Sequence, residues 1–386
     1  MTFAATGIER RAIWVTRYDW TELNRAPSPE KIDEIVINTA SAGFNTIFFQ
    51  VRAAGDAYYD SSLEPWASRL TGSSKETLGQ HPGWDPLARI IDKAHAIDME
   101  IHAYVNVYPV WLPPPGDGPL GPPATSPPHL FDRLTYGPDH PEHPGQHSLA
   151  YAWRQHTAPD KPMRLEPNKY IWASPGLRQV RNHILAVIED LASRYPLDGV
   201  HLDLIRYAGA NYSFDPASNA AAGTTKTPQR DQWQRDAITD LVRRIYAELS
   251  VLRPGARLTA AVWPYFQDKW GWRVSEGYND YYQDSKGWLA GGIIDAIIPM
   301  LYGGAADDFG RWHTLLQDFL ADSAGRHVYP GIGANYDDFS AIARRIEAAR
   351  QAGAPGHALF SYRALNERGY WDHLIAGPYA EPAIAP

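Results

Sequence analysis

Short apolar runs alternate along the whole chain with stretches whose apolar residues recur every three or four positions. The first pattern predicts buried strands and the second predicts helices packed on one face. Eight candidate strands follow: Ala12–Arg17, Thr46–Arg52, Glu100–Asn106, Gly199–Ile205, Leu258–Trp263, Asp295–Tyr302, His327–Gly333 and Ala358–Tyr362. Helix starts are legible between them. Ser28-Pro29, Ser174-Pro175 and Thr227-Pro228 each place a capping hydroxyl before a Pro at the first helical position. The hydroxyl accepts from an orphan N–H, and the Pro has no N–H to orphan. Gly43 is placed to end the first of these helices. Eight strands with intervening helices is the count that closes a (β/α)₈ TIM barrel. A single catalytic domain over residues 1–386 is therefore expected, with a Pro-rich loop insertion at about 112–173.

That insertion and the segment 208–226 break the rhythm. Both follow strands, so both fall on the C-terminal face, where barrels of this kind carry their loops of function. The insertion holds Tyr151, Trp153, Tyr170 and Trp172, which suggests an aromatic wall.

Alternate residues of a strand share a face. In Gly199–Tyr207 (GVHLDLIRY), His201 and Asp203 share one face, and Val200, Leu202 and Leu204 share the other. The apolar set is expected to meet the outer helices, leaving Asp203 aimed into the barrel near its mouth. A buried carboxylate is expensive, so Asp203 is either functional or paired with Arg206 or Arg52. His201 lies one layer deeper and suits catalysis or core packing equally. The same alternation aims Gln50, Arg52 and Asn106 inward, and brings Trp263, Tyr302 and Tyr362 to strand ends at the mouth.

Composition sharpens the picture. There are 14 Trp and 22 Tyr, side chains that offer a flat apolar face and one polar handle. Polar groups converging inside an aromatic rim describe a carbohydrate site better than a dry apolar pocket. The net charge of −8 argues against nucleic acid and anionic lipid as partners. No stretch is long and apolar enough to span a membrane. The absence of Cys excludes disulfides and thiolate catalysis. Met1–Arg11 lacks the apolar run of a signal peptide, as expected of a cytoplasmic chain or of one whose leader has been removed.

Hydrolysis of a glycosidic bond normally uses two carboxyl groups. Beside Asp203 the candidates are Asp56, Asp284 and, less well placed, Glu276; Asp295 opens its strand at the structural end of a barrel. Asp56 could equally order its own loop, and Asp284 could equally serve a helix start. No Gly-rich phosphate loop, GxSxG elbow or HExxH pair occurs. His140, His143 and His147 lie in Pro-rich sequence and read as a solvated loop. No cofactor or metal is expected. Arg52 and Arg206 suggest a substrate carrying a carboxylate, held by a guanidinium fork.

Several blocks resemble the family 10 glycosyl-hydrolase-like proteins: Phe49–Tyr58 (FQVRAAGDAY), Leu63–Trp66, Asp85–Leu87, Ala173–Gly176, Asp198–Tyr207, Tyr282–Asp284 with Trp288, and Pro299–Tyr302. The resemblance implies a TIM-barrel glycosidase from bacteria, exported or envelope-associated, with peptidoglycan glycan strands stripped of their peptides among the substrates. It places Asp203 on the family's acidic residue ending the fourth strand, and Gln50, Arg52, Asp56, Asn106 and Asp284 in its other recurrent blocks. The long Pro-rich insertion departs from the family pattern. The rival expectations are a catalytically silent carbohydrate-binding barrel and a metal-assisted hydrolase or lyase on another bond.

Overall fold

The computed structural model describes residues 7–72, 75–114, 121–131, 156–158 and 161–386. The His140, His143 and His147 stretch, with Tyr151 and Trp153, lies outside them.

All eight predicted strands form, as one parallel sheet: β1 (Arg10–Val15), β2 (Thr46–Arg52), β3 (Glu100–Asn106), β4 (Gly199–Asp203), β5 (Arg257–Val262), β6 (Ala296–Pro299), β7 in two pieces (His327–Val328 and Gly331–Gly333) and β8 (Gly356–Phe360). The break in β7 closes the ring. Its first piece pairs with β6 through Ala296–His327 and Ile297–Val328, and its second pairs with β8 through Gly331–Ala358 and Ile332–Leu359. A bridge from Met300 to Gly331 joins the two sides. The kink falls at Tyr329-Pro330, where Pro has no N–H to give a ladder.

Helices α1 (Pro29–Ser41), α2 (Pro86–His95), α3 (Arg178–Arg194), α4 (Pro228–Leu252), α5 (Ser285–Ala290), α6 (Phe309–Ala321), α7 (Phe339–Gln351) and α8 (Tyr362–Arg368) follow the strands in turn. Thr227 caps α4 as expected, accepting from the Arg230 N–H, and Gly43 takes φ +87° past the end of α1. Ser174 does not cap α3, which starts at Arg178 with Leu177 in the cap position. Its hydroxyl donates to Asp215 instead, at 2.7 Å, and the Ser213 and Ser218 hydroxyls converge on the same carboxylate. This buried knot ties the middle of the β4–α4 connection to the end of the Pro-rich one.

Alternation separates two cores. Val15, Phe49, Val105, Val200 and Val262 face outward into the layer shared with the helices. Trp14, Phe48, Tyr104, Ala261 and Ile298 fill the barrel itself. His201 belongs to that inner packing. It is fully buried and stacks on Phe48, with ring centroids 4.1 Å apart and planes 4° off parallel. Trp14 donates its indole N–H to His201 Nε2 at 2.9 Å, and Nδ1 lies 2.9 Å from the Thr259 hydroxyl. An indole N–H can only donate, so Nε2 carries no proton and the ring is neutral. Burial acts in the same direction, holding the His201 pKa far below its usual value.

Candidate active site

β4 ends where the predicted alternation fails. Leu204 does not continue outward; it turns to φ +52° and lines the mouth. A left-handed Leu costs roughly 1–2 kcal/mol, and part of the return is a hydrogen bond from its N–H to Asp203 Oδ1 at 2.6 Å. The other carboxylate oxygen accepts from the Tyr104 hydroxyl at 2.6 Å. Asp203 keeps an edge open to the mouth. Burial pushes its pKa up, opposed by Tyr104, by the Leu204 N–H and by the Arg206 charge. A carboxyl in this state is suited to hold a proton and release it to a leaving group.

Beside Asp203, walled by its hydrogen-bond partners Tyr104 and Leu204, lies a cavity of about 320 Å³. Its wall includes Arg17, Gln50, Tyr104, Asn106, Tyr170, Leu204 and Phe360. Gln50 Oε1 accepts from the Arg17 backbone N–H at 2.9 Å and from its guanidinium at 3.3 Å. The same guanidinium donates to Tyr18 and Tyr170, at 2.5 and 2.6 Å. Asn106 donates to the Ala53 carbonyl, while its own oxygen is buried without a hydrogen-bond partner. Tyr302 stacks on Phe360 with centroids 5.1 Å apart, and both burial and the Asp203 charge raise its pKa.

Arg206 stands beside this mouth among three rings, its guanidinium carbon 5.1 Å from Trp172, 5.1 Å from Trp263 and 4.7 Å from Tyr281. It donates to the Tyr207 carbonyl at 3.0 Å, and its Nε is buried without a partner. Trp263 is fixed by its indole N–H to the Ser275 carbonyl. Tyr170 and Trp172, from the end of the Pro-rich insertion, therefore do flank the mouth.

Of the carboxylates proposed beside Asp203, Asp56 is the one near this wall. Its loop turns at Gly55 (φ +76°), and Asp56 Oδ1 accepts from the Ala54 N–H at 2.8 Å. Burial raises its pKa; the Ala54 N–H and the Arg17 charge oppose that rise. Asp284 has a different setting. It caps α5 by accepting from the Gly287 N–H at 3.0 Å, and the charges acting on it are Arg235 and Asp236 of α4, on the outer layer. Glu276 accepts from the Asp268 N–H and orders the β5 loop. Asp295 accepts from the Leu258 N–H and Arg326 at the far end of the barrel.

Two expected contact residues are engaged elsewhere. Arg52 is fully buried and its donors are spent: Nε and Nη2 reach Glu64 at 2.8 Å each, and Nη1 reaches the Asn106 and Val107 carbonyls at 2.5 and 3.1 Å. It braces the β2 and β3 ends and has no fork to offer. Tyr362 opens α8, where its hydroxyl accepts from Asn38 of α1 at 2.8 Å, away from the mouth. His201 is sealed beneath Asp203. Arg17 was the missed residue; its place at the end of the first predicted strand was the available signal. Among the described residues no group of three or more His, Asp or Glu side chains is arranged to hold a metal ion.

The model of the glycosyl hydrolase-like 10 family matches residues 9–110 and 149–322. The chain belongs to this family. The matched range leaves out 111–148, within the Pro-rich insertion. A curated relative, glycosyl hydrolase YngK of Bacillus subtilis, is 25% identical over 417 residues, covering 100% of this chain and 75% of its own length. Glycosyl hydrolase DigH of Escherichia coli is 25% identical over 331 residues, covering 79% and 68%. Among solved structures, the glycoside hydrolase domain of PgaB (BpsB) from Bordetella bronchiseptica superposes with a TM-score of 0.61 at 14% identity, covering 95% of this chain and 98% of that one. The alpha-L-fucosidase isoenzyme 2 of Paenibacillus thiaminolyticus gives 0.59 at 14% identity, covering 97% and 49%. These neighbours share the barrel fold, and the family is glycosyl hydrolase-like.

Proposed function

We propose that this member of the family hydrolyses the glycosidic bonds of a bacterial polysaccharide, with Asp203 as general acid and Asp56 as the second carboxylate. The observation that carries the reading is Asp203 itself: a carboxyl at the C-terminal end of β4, held by Tyr104 and the Leu204 N–H, with a burial-raised pKa inside an aromatic mouth. Gln50, Asn106, Trp263 and Tyr302 supply polar and stacking contacts to the sugar. The relatives YngK and DigH bear glycosyl hydrolase names, and glycan strands of peptidoglycan stripped of their peptides are the first substrate to try. The acidic-sugar reading rests on Arg206 and no longer on Arg52. Arg206 keeps unspent donors at the mouth, whereas Arg52 is fully buried against Glu64 and the Asn106 and Val107 carbonyls.

The test incubates the chain and its Asp203→Asn variant with peptide-free glycan strands and follows reducing ends. Release by the parent, loss in the variant and retained binding support the hydrolase. Binding without release from any bacterial polysaccharide establishes the silent binder instead. For the acidic sugar, Arg206→Ala is compared on strands carrying carboxylates and on the same strands reduced to alcohols; equal weakening of both sinks that part.

A further inference from the structure

Part of the Pro-rich insertion, residues 121–131, folds back against the connection that carries Asp56. Two glycines with positive φ mark where it lands. At Gly79 (φ +85°) a side chain would begin 3.4 Å from that of Thr125. At Gly55 (φ +76°) it would begin 2.9 Å from the His129 ring and 2.9 Å from the Val110 carbonyl oxygen, closer than side-chain carbons come. Gly55 is thus required twice, by its left-handed backbone and by the ring that lies flush on it.

His129, Leu130 and Phe131 are buried in succession, so the landing belongs to the core. The His129 ring is fixed from two sides. Its Nδ1 accepts from the Phe131 N–H at 3.0 Å, and its edge meets Trp111 with centroids 5.3 Å apart. A backbone N–H only donates, so Nδ1 holds no proton and the ring is the neutral tautomer protonated at Nε2. Burial agrees, holding the His129 pKa down to about 4. The turn beneath it, Ala53 to Asp56, is held elsewhere by three hydrogen bonds. Asn106 donates to the Ala53 carbonyl at 3.0 Å, the Ala53 N–H reaches the Asp56 carbonyl at 3.4 Å, and the Ala54 N–H reaches Asp56 Oδ1 at 2.8 Å. None of these involves Gly55, the corner of the turn, and that is where His129 and Val110 press.

Resting on the reading of Asp56 as the second carboxylate, we infer that His129 is a positioning residue, whose ring covers Gly55 and fixes the turn that sets Asp56. The insertion departs from the family pattern, yet through this contact it is a working part of the site. Removing the ring frees the corner and opens the turn to water. The Arg17, Glu64 and Arg52 charges that act on Asp56 are left in place, so the change at Asp56 is one of burial and position.

The test uses the full chain with isotope-labelled aspartate carboxyl groups, read by NMR; the Asp56 signal is the one missing in Asp56→Asn. In His129→Ala the Asp56 midpoint should move down toward its ordinary 3.8, because burial is what raises it. On peptide-free glycan strands kcat should fall roughly ten- to a hundredfold, as for a group misplaced by about 1 Å, with KM within about twofold. His129→Asn keeps an acceptor for the Phe131 N–H but is too short to cover Gly55, so it should behave like His129→Ala. His129→Met refills the space with a flexible apolar chain and should restore most of both readouts. A folded His129→Ala or His129→Asn protein with the parent's midpoint and kcat overturns the inference, even if it melts earlier, and so does a loss that His129→Met does not restore. A raised KM with kcat unchanged overturns it too. If the parent releases no reducing ends while the Asp56 midpoint still falls in His129→Ala, the hydrolase reading fails and the coupling of the insertion to Asp56 stands.

Discussion

Replacing Glu64 by Gln tests whether Arg52 is a brace or a binding residue. Both side chains of this pair are 0% exposed, and Nη2 to Oε1 is 2.8 Å. Gln keeps the shape and removes the charge, so the guanidinium is left buried and uncompensated. Breaking a buried pair by removing one partner costs about 3–5 kcal/mol. Here the Asn106 and Val107 carbonyls stay in place and His183, 2.9 Å from Glu64, keeps an acceptor, so the lower end, about 3 kcal/mol, is expected. At roughly 2 °C per kcal/mol for a chain of this size, the melting temperature drops by about 6 °C. The pH dependence has a definite sign. Although burial alone would raise it, Arg52 and His183 hold the Glu64 pKa well below its ordinary 4.5. The stabilisation is therefore present above pH 4.5 and is lost as pH falls through the depressed value. The gap between parent and variant should narrow in acid. Urea midpoints measured from neutral pH down to acid read both effects. A loss under about 1 kcal/mol, or a gap that does not change with pH, refutes the brace.

Asp203→Asn should remove turnover, and its thermal midpoint relative to the parent should rise as pH increases, because burial penalises an anion that Asn cannot form; a difference that does not change with pH contradicts this. Its sign is the reverse of Glu64, since the cost of Asp203 is relieved as pH falls through its raised pKa. Tyr104→Phe removes a bond that favours the anion, so the alkaline limb of the pH–rate profile should move to higher pH; an unmoved limb excludes Asp203 as the acid. Asp284→Ala should cost about 1 kcal/mol of stability as a lost helix cap and leave kcat within a few-fold. A collapse of kcat in a folded Asp284→Ala protein would return Asp284 to the chemistry. His201 should show no titration between pH 5 and 8 by NMR, about the usual range for imidazole; a midpoint there would contradict the Trp14–His201–Thr259 chain.

Much of this was legible in the sequence, for identifiable reasons. The strands declared themselves because each is an apolar run bounded by turns, and alternation correctly aimed Asp203 at the mouth. Alternation failed one residue later, at Leu204, because a left-handed turn has no hydrophobic signature. Arg52 was misread because its partner, Glu64, sits in an irregular loop where no periodicity reports which way a side chain points. Tyr362 was displaced because the last strand stops at Phe360, and a two-residue slip moves a side chain from strand to helix. Ser174 left its helix for Asp215, which lies 41 residues on, beyond the reach of any local rule. Asp284 was visible both as a cap and as a candidate, and only the third dimension set it against α4.

The stacked pair of Phe48 and His201, roofed by Trp14, makes the barrel a blind vessel. Nothing can pass through to the opposite end, so whatever enters from the C-terminal face must leave by the same door. On the hydrolase reading, a polymer is not threaded here like a strand through a bead; its bond must be presented to the rim.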